Sequence, residues 1–241
     1  MRNRDLPAPM LARIAGFNLA NLQQSPAYDA LMRLPLLAWT TVLAIVSVAS
    51  LERYARSADL ALPGAIYAVN IAMRLSVIAY LVILAATVVT RMAPIEKARG
   101  TEPRVSALIG TFLITVVVLF PRRELSLTAG LVSTLLMLAG DAFAVVVLTR
   151  LGRSFSIMPE ARQLVTSGVY RFVRHPLYLA EEIATIGGVM QFLSVWTAVL
   201  LVVQIAFQLR RIRNEETLLT EVFSDYAIYK KKTARIIPGI Y

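Results

Sequence analysis

Five apolar runs constrain this chain more than any other feature: 34–51, roughly 66–90, 105–120, 125–149 and 176 to about 209. A helix needs about 20 such residues to cross the roughly 30 Å hydrocarbon core of a bilayer, so each of the first four runs fits one crossing. The last is too long for one helix and carries Gly187, Gly188 and Ser194 near its middle. Splitting it near residue 193 gives a tight helical hairpin and six crossings. The expected fold is all-α, a polytopic membrane helical bundle. Composition agrees, since 57% of the 241 residues are hydrophobic and 17% charged, against roughly 45–50% and 25% in soluble domains.

The basic excess, 25 Lys+Arg against 15 Asp+Glu, is explained by topology. Assigning the segments between runs to alternate sides puts twenty of the 25 cations on one side and four on the other (Arg53, Arg56, Arg122 and Arg123), with Arg74 inside a span. This asymmetry places both termini in the cytoplasm and makes nucleic acid an unneeded partner. Without cysteine and with one histidine, His175, the chain has no disulfide, thiolate metal site or catalytic thiol. About 33 residues precede the first run, with scattered basic residues, which does not read as a signal peptide. Met10, Leu11, Ile14, Phe17 and Leu22 suit an interfacial amphipathic helix over 8–24, with a loose tail as the alternative. Arg outnumbers Lys 21 to 4, the usage of a GC-rich genome, which points to a bacterial inner membrane. The organisation expected is an N-terminal interfacial segment (1–33), a four-span region (34–150) and a C-terminal module (151–241).

Ionisable groups inside a span cost about 2.5–3.5 kcal/mol or more at its centre, so each needs a reason. Asp141, Glu181 and Glu182 fall at similar depth on the basic side. Arg74 enters from the other side and is expected to snorkel to the headgroups. Successive helical residues point about 100° apart, so Glu181 and Glu182 cannot serve one cavity equally. One is expected to be structural, while Glu182 is a candidate to touch the substrate. Asp141 is expected to pack or position helices.

Two polar segments flank the hairpin. The first, from Gln163 through Gly168 and Tyr170 to Arg174-His175-Pro176-Leu177-Tyr178, ends at a helix start: Pro176 suits the first turn, whose free N–H groups welcome an anion beside His175. Gly168 permits a turn that a side chain would resist. In the second, Arg211 and Glu215 share a helical face, followed by Glu216. Each segment has a plainer reading, a capping histidine and a boundary ion pair worth about 0.3–0.5 kcal/mol.

Taken together, Gly168-x-Tyr170-x-x-x-Arg174-His175-Pro176-x-Tyr178, then Arg211-x-x-x-Glu215-Glu216, Phe223-Ser224-x-Tyr226-x-x-Tyr229 and Arg235-x-x-Pro238 resemble the isoprenylcysteine carboxyl methyltransferase family over about residues 151–238. The resemblance implies an integral membrane enzyme that uses S-adenosylmethionine and shares its C-terminal module with phospholipid N-methyltransferases. It implies that Gln163, Leu164, Val165, Tyr170, His175, Pro176, Leu177, Tyr178 and Glu216 contact the cofactor. Arg211 and Glu215 would position the substrate carboxylate and the cofactor. Arg162 stands where relatives often have histidine, while Ser224 and Ala180 replace frequent glycines.

An acid acceptor is already ionised at pH 7, given a carboxyl pKa of about 3.3–4.3, and needs no base. Arg211 could hold it at two points, which leans the reading towards an isoprenoid acid entering from the bilayer. No metal is needed. A lipid amine would instead need Glu215 or Glu216 as base. The same residues are compatible with a small thiol acceptor and, outside enzymes, with a membrane transporter or lipid-binding bundle.

Overall fold

The computed structural model describes residues 30–31, 33–56 and 64–239; the proposed interfacial helix over 8–24 lies outside them. The helices, in chain order, are α1 (Leu34–Arg56), α2 (Gly64–Thr90), α3 (Glu102–Phe112), α4 (Leu127–Leu151), α5 (Pro176–Met190), α6 (Val195–Val222) and α7 (Tyr226–Lys232). Five segments, α1, α2, α3 with its extension, α4 and α6, are long and apolar enough to cross a membrane. The chain is therefore a multi-pass membrane protein.

The third crossing is only 18 residues, Glu102–Leu119. Its second part, Leu113–Leu119, winds as a 3-10 helix, which rises about 2.0 Å per residue instead of 1.5 Å. The tighter winding brings these 18 residues to about 30 Å. The run Thr115-Val116-Val117-Val118 is β-branched and favours the α-helix less.

The long apolar run does break where the sequence suggested, at a turn between Gln191 and Ser194. Ser194 caps α6 in a capping box: its side chain accepts from Thr197 N, and Thr197 Oγ1 accepts from Ser194 N at 2.8 Å. The arms are unequal. Pro176 fixes the start of α5 and the capping box fixes the start of α6, so α5 has 15 residues, or about 22 Å. It forms the first arm of the expected hairpin, but of the six crossings expected only the five segments above have the length of a crossing among the described residues, and α5 falls short.

Helices α4 and α5 pack almost backbone to backbone. A Cβ on Gly140 would lie 2.7 Å from Ala180 O and closer still to Ala184 N, and one on Gly187 would lie 2.7 Å from Ser133 O. Ser133 Oγ donates to Gly187 O at 2.7 Å. Small residues with an interhelical hydrogen bond are how apolar helices associate where burial from water gives no drive. Gly140→Val is expected to push the pair apart and leave little monodisperse protein on size exclusion in detergent, a cost of about 1–3 kcal/mol or more. Gly130→Ala, also on α4 but with nothing within 4 Å, should elute as wild type.

Successive spans alternate in direction, so one end of the bundle gathers the start of α1, the end of α2, the start of α3 and the end of α4. Arg33 ties α1 to α2 through Val89 O at 2.6 Å and Arg91 O at 3.3 Å. The connections α2–α3 and α4–α5 pair as a small two-stranded antiparallel sheet, β1 (Glu96–Lys97) with β2 (Glu160–Ala161). Ile95 N–Ala161 O at 2.7 Å and Ala98 N–Pro159 O at 3.0 Å extend it. At the opposite end, Arg123 N donates to Gln191 O at 2.8 Å. Arg74 does not simply snorkel: it donates to Ser50 Oγ on α1, and its guanidinium lies 4.6 Å from the Tyr54 ring, which stacks on Tyr67.

Candidate active site

The segment between α4 and α5 turns sharply at Gly168, whose φ of +64° is the left-handed region open to glycine. A 3-10 turn over Gly168–Arg171 follows and buries Tyr170. Pro176 then opens α5 as its first residue, and His175 takes the N-cap without a capping bond from its side chain. Its ring instead stacks on Tyr178 at 5.5 Å and sets Nε2 3.2 Å from Glu216 Oε1.

Nine of the predicted residues line one cavity: Gln163, Leu164, Val165, Tyr170, His175, Leu177, Tyr178, Arg211 and Glu215. They come from the loop, α5 and α6, separated in sequence by as much as 52 positions. Arg211 and Glu215 are joined through Tyr178 rather than to each other. The guanidinium lies 4.7 Å from the Tyr178 ring centroid, and the Tyr178 hydroxyl donates to Glu215 Oε2 at 2.6 Å. Arg211 is 3% exposed and also donates to Thr111 Oγ1 at 3.0 Å and to Ser156 O at 3.5 Å. A cation, a phenol and a carboxylate are thereby fixed in a row along one wall.

Three predicted residues sit elsewhere. Pro176 is fully buried at the helix start and lies behind the lining. Glu182 Oε1 accepts from Gln204 Nε2 at 2.8 Å within the bundle. Glu216 turns away from the cavity towards three cations, Arg174 at 2.8 Å, Arg235 at 2.9 Å and Lys230 at 3.5 Å, and the His175 ring at 3.2 Å. Since Arg174 N and His175 N also donate to Ala234 O and Arg235 O, Glu216 acts as a clasp between the loop, α6 and the C-terminal segment.

That clasp folds α7 over the cavity. Tyr229 donates to Tyr170 O at 2.6 Å, and Leu219, Tyr226 and Tyr229 join the lining. Burial pushes the Tyr229 phenol up to about 12 and those of Tyr170 and Tyr226 further above their ordinary range. All three therefore stay protonated as donors. The tyrosines belong to the spaced motif near the C-terminus; the helical spacing of Leu218, Leu219, Val222, Phe223 and Tyr226 suits either a lid over the cavity or packing on the membrane surface, and Leu219, Tyr226 and Tyr229 line the cavity. Glu160 and Met158 also line the cavity and carried no sequence signal beyond polarity near the loop. Arg162, on the same wall, pairs with Glu160 at 2.5 Å and is almost fully buried.

A second, mostly apolar cavity of about 510 Å³ adjoins the first and shares Met158 and Glu160 with it. Trp39 and Leu36 of α1, Leu108 and Phe112 of α3, and Ile157 form its apolar walls, with Arg91, Lys97 and Arg104 among its lining. Trp39 and Phe112 meet edge to face across it at 5.9 Å. The first spans thus build a lipophilic chamber beside the polar one.

Comparison with known proteins points to the same part of the chain. Residues 132–221 match the model of the isoprenylcysteine carboxyl methyltransferase (ICMT) family. The match begins inside α4, upstream of the 151–238 that the motifs delimit. Protein-S-isoprenylcysteine O-methyltransferase A of Arabidopsis thaliana is 28% identical over 134 residues, covering 53% of this chain and 68% of that protein. The motif order and the family model meet on the same helices, and over residues 132–221 this chain is similar to the isoprenylcysteine carboxyl methyltransferase family.

Proposed function

We propose that this chain transfers a methyl group from S-adenosylmethionine to the carboxylate of a lipophilic acceptor of the prenylcysteine class, in a bacterial inner membrane with its site facing the cytoplasm. The observation that carries the reading is the wall Arg211–Tyr178–Glu215 of a polar cavity that adjoins an apolar one at Met158 and Glu160.

The residues of the polar cavity suit the cofactor. The Tyr226 hydroxyl, 1% exposed, and Arg211 Nε are buried without hydrogen-bond partners, and such donors call for acceptors. Glu215 gives one oxygen to Tyr178 and keeps the other for a hydroxyl or cationic group. Leu164, Val165, Leu177 and Leu219 supply apolar walls for a flat ring system. Bound there, S-adenosylmethionine would supply an electrophilic methyl group on a sulfonium.

The protein's own contribution is alignment and exclusion of water. Arg211 holds the acceptor carboxylate, and its stacking on Tyr178 fixes the plane of that contact. Folding of α7 over the cavity keeps water out. An amine acceptor would need a base, and Glu216 is a poor one because Arg174, Lys230, Arg235 and the His175 ring already engage it. This supports an acid acceptor.

Titration of the purified protein with S-adenosylhomocysteine should give saturable micromolar binding; absence of heat from folded protein would sink the reading. Trp39→Ala and Phe112→Ala should each raise KM for a prenylated acid about tenfold and leave affinity for S-adenosylhomocysteine unchanged. An increase in both would mean that the apolar chamber is not the acceptor's.

A further inference from the structure

A third cavity, of about 190 Å³, lies inside the bundle between α2, α3, α4, α5 and α6. It contributes nothing to the wall of the cofactor cavity, yet it contains the costliest groups of the fold. Asp141 and Glu181 line it, and Glu182 borders it through Gln204. Carboxylates in a span ask for a compensating partner.

The cavity is rich in acceptors. Gln204 and Gln208 both line it, both are 3% exposed, and the Oε1 of each has no hydrogen-bond partner. Their orientations are set by the other end of each amide. Gln204 Nε2 donates to Gly110 O at 3.1 Å and to Glu182 Oε1 at 2.8 Å, while Gln208 Nε2 donates to Glu181 Oε2 at 3.4 Å. Flipping either amide would set oxygen against oxygen. Gly110 leaves room for this arrangement, since a Cβ there would stand 3.1 Å from Gln208 Oε1. The Tyr80 hydroxyl, one of the donors available, is given to Glu181 at 3.1 Å.

We propose that this cavity binds the primary ammonium of an amphiphilic amine, with Asp141 and the two glutamine Oε1 atoms accepting its N–H donors. An ammonium has three donors and no acceptor, the complement of these groups, and a charged donor on a carboxylate makes the stronger kind of hydrogen bond. A bare metal ion suits the place less well: among the described residues no three His, Cys, Asp or Glu side chains are grouped to hold one. The volume is that of about six waters at roughly 30 Å³ each, enough for a headgroup. Ile114, Ala144 and Ala184 give apolar wall for the first carbons of a chain. The ligand would be bound rather than methylated. It would bear on the transfer site through Thr111, which lines this cavity and accepts from Arg211.

The test is a thermal-shift titration of the detergent-purified protein with octylamine, beside octanol and octyltrimethylammonium, which lack the charge and the N–H donors respectively. Octylamine should raise the midpoint saturably and the two controls should not. Asp141→Asn, which keeps the shape, should weaken the octylamine affinity at least tenfold, and Gln208→Leu should weaken it several-fold should the first variant misfold. In nanodiscs, phosphatidylethanolamine in place of phosphatidylglycerol should compete with octylamine where the natural ligand is a lipid headgroup, and leave its affinity unchanged where it is a soluble amine. Equal shifts with octanol, or undiminished octylamine binding in both folded variants, would overturn the proposal.

Discussion

Arg211→Lys is expected to lower kcat/KM for methyl transfer about a hundredfold, with the protein still folded and S-adenosylhomocysteine still bound. The guanidinium makes three contacts at once: the Tyr178 face, Thr111 Oγ1 and Ser156 O. Lysine keeps the charge but has neither the plane that stacks nor the fork that meets a carboxylate at two points. Losing charge-assisted hydrogen bonds of about 1.5–3 kcal/mol each gives a hundredfold once two are weakened, since about 1.4 kcal/mol is tenfold. Steady-state kinetics at saturating cofactor checks this. Tyr178→Phe should cost less, about tenfold, because it removes the 2.6 Å bond to Glu215 and leaves the ring under Arg211. Full activity in Arg211→Lys would remove Arg211 from the transfer step.

The second large effect concerns stability. Glu216→Ala should lower the midpoint of thermal unfolding by on the order of 10 °C, because removing one partner of a buried ionic cluster costs about 3–5 kcal/mol. Here it would strand Arg174, His175 and Arg235 around a side chain that is only 3% exposed. The C-terminal segment should open with it, since the same residues hold Ala234 and Arg235 to the loop. Limited proteolysis should then cleave near residues 230–239 in the variant and not in wild type. Unchanged proteolysis and stability would mean that the backbone pairing alone closes the segment. Glu216→Gln keeps part of the hydrogen bonding and should fall between the two.

The contrast between Glu215 and Glu216 shows how far the sequence carries. Helical spacing puts Arg211 and Glu215 on one face, and the structure has both lining the cavity. The same spacing turns Glu216 about 100° away, towards partners at Arg174, Lys230 and Arg235 that only tertiary folding could supply. The bundle itself was legible, because uninterrupted apolar runs leave few alternatives in a bilayer. Lengths were less so: nothing local announces that Leu113–Leu119 winds as a 3-10 helix or that α5 stops at Met190. The apolar chamber was hidden as well. Its walls at Trp39, Phe112 and Ile157 come from three separate stretches and look like ordinary span or loop residues until they meet. Tyr178, readable only as a motif position, proves to be the link between Arg211 and Glu215.

The most direct test of the account is the chemical fate of the transferred methyl group. Membranes containing the protein would be incubated with methyl-labelled S-adenosylmethionine and an S-prenylated N-acetylcysteine, and the labelled lipid then treated with mild alkali. A carboxyl methyl ester should release its label as methanol, and this release should disappear in the Arg211→Lys membranes. Label that enters lipid but resists alkali would mean transfer to nitrogen or sulfur, and would contradict the assignment of Arg211 to an acceptor carboxylate.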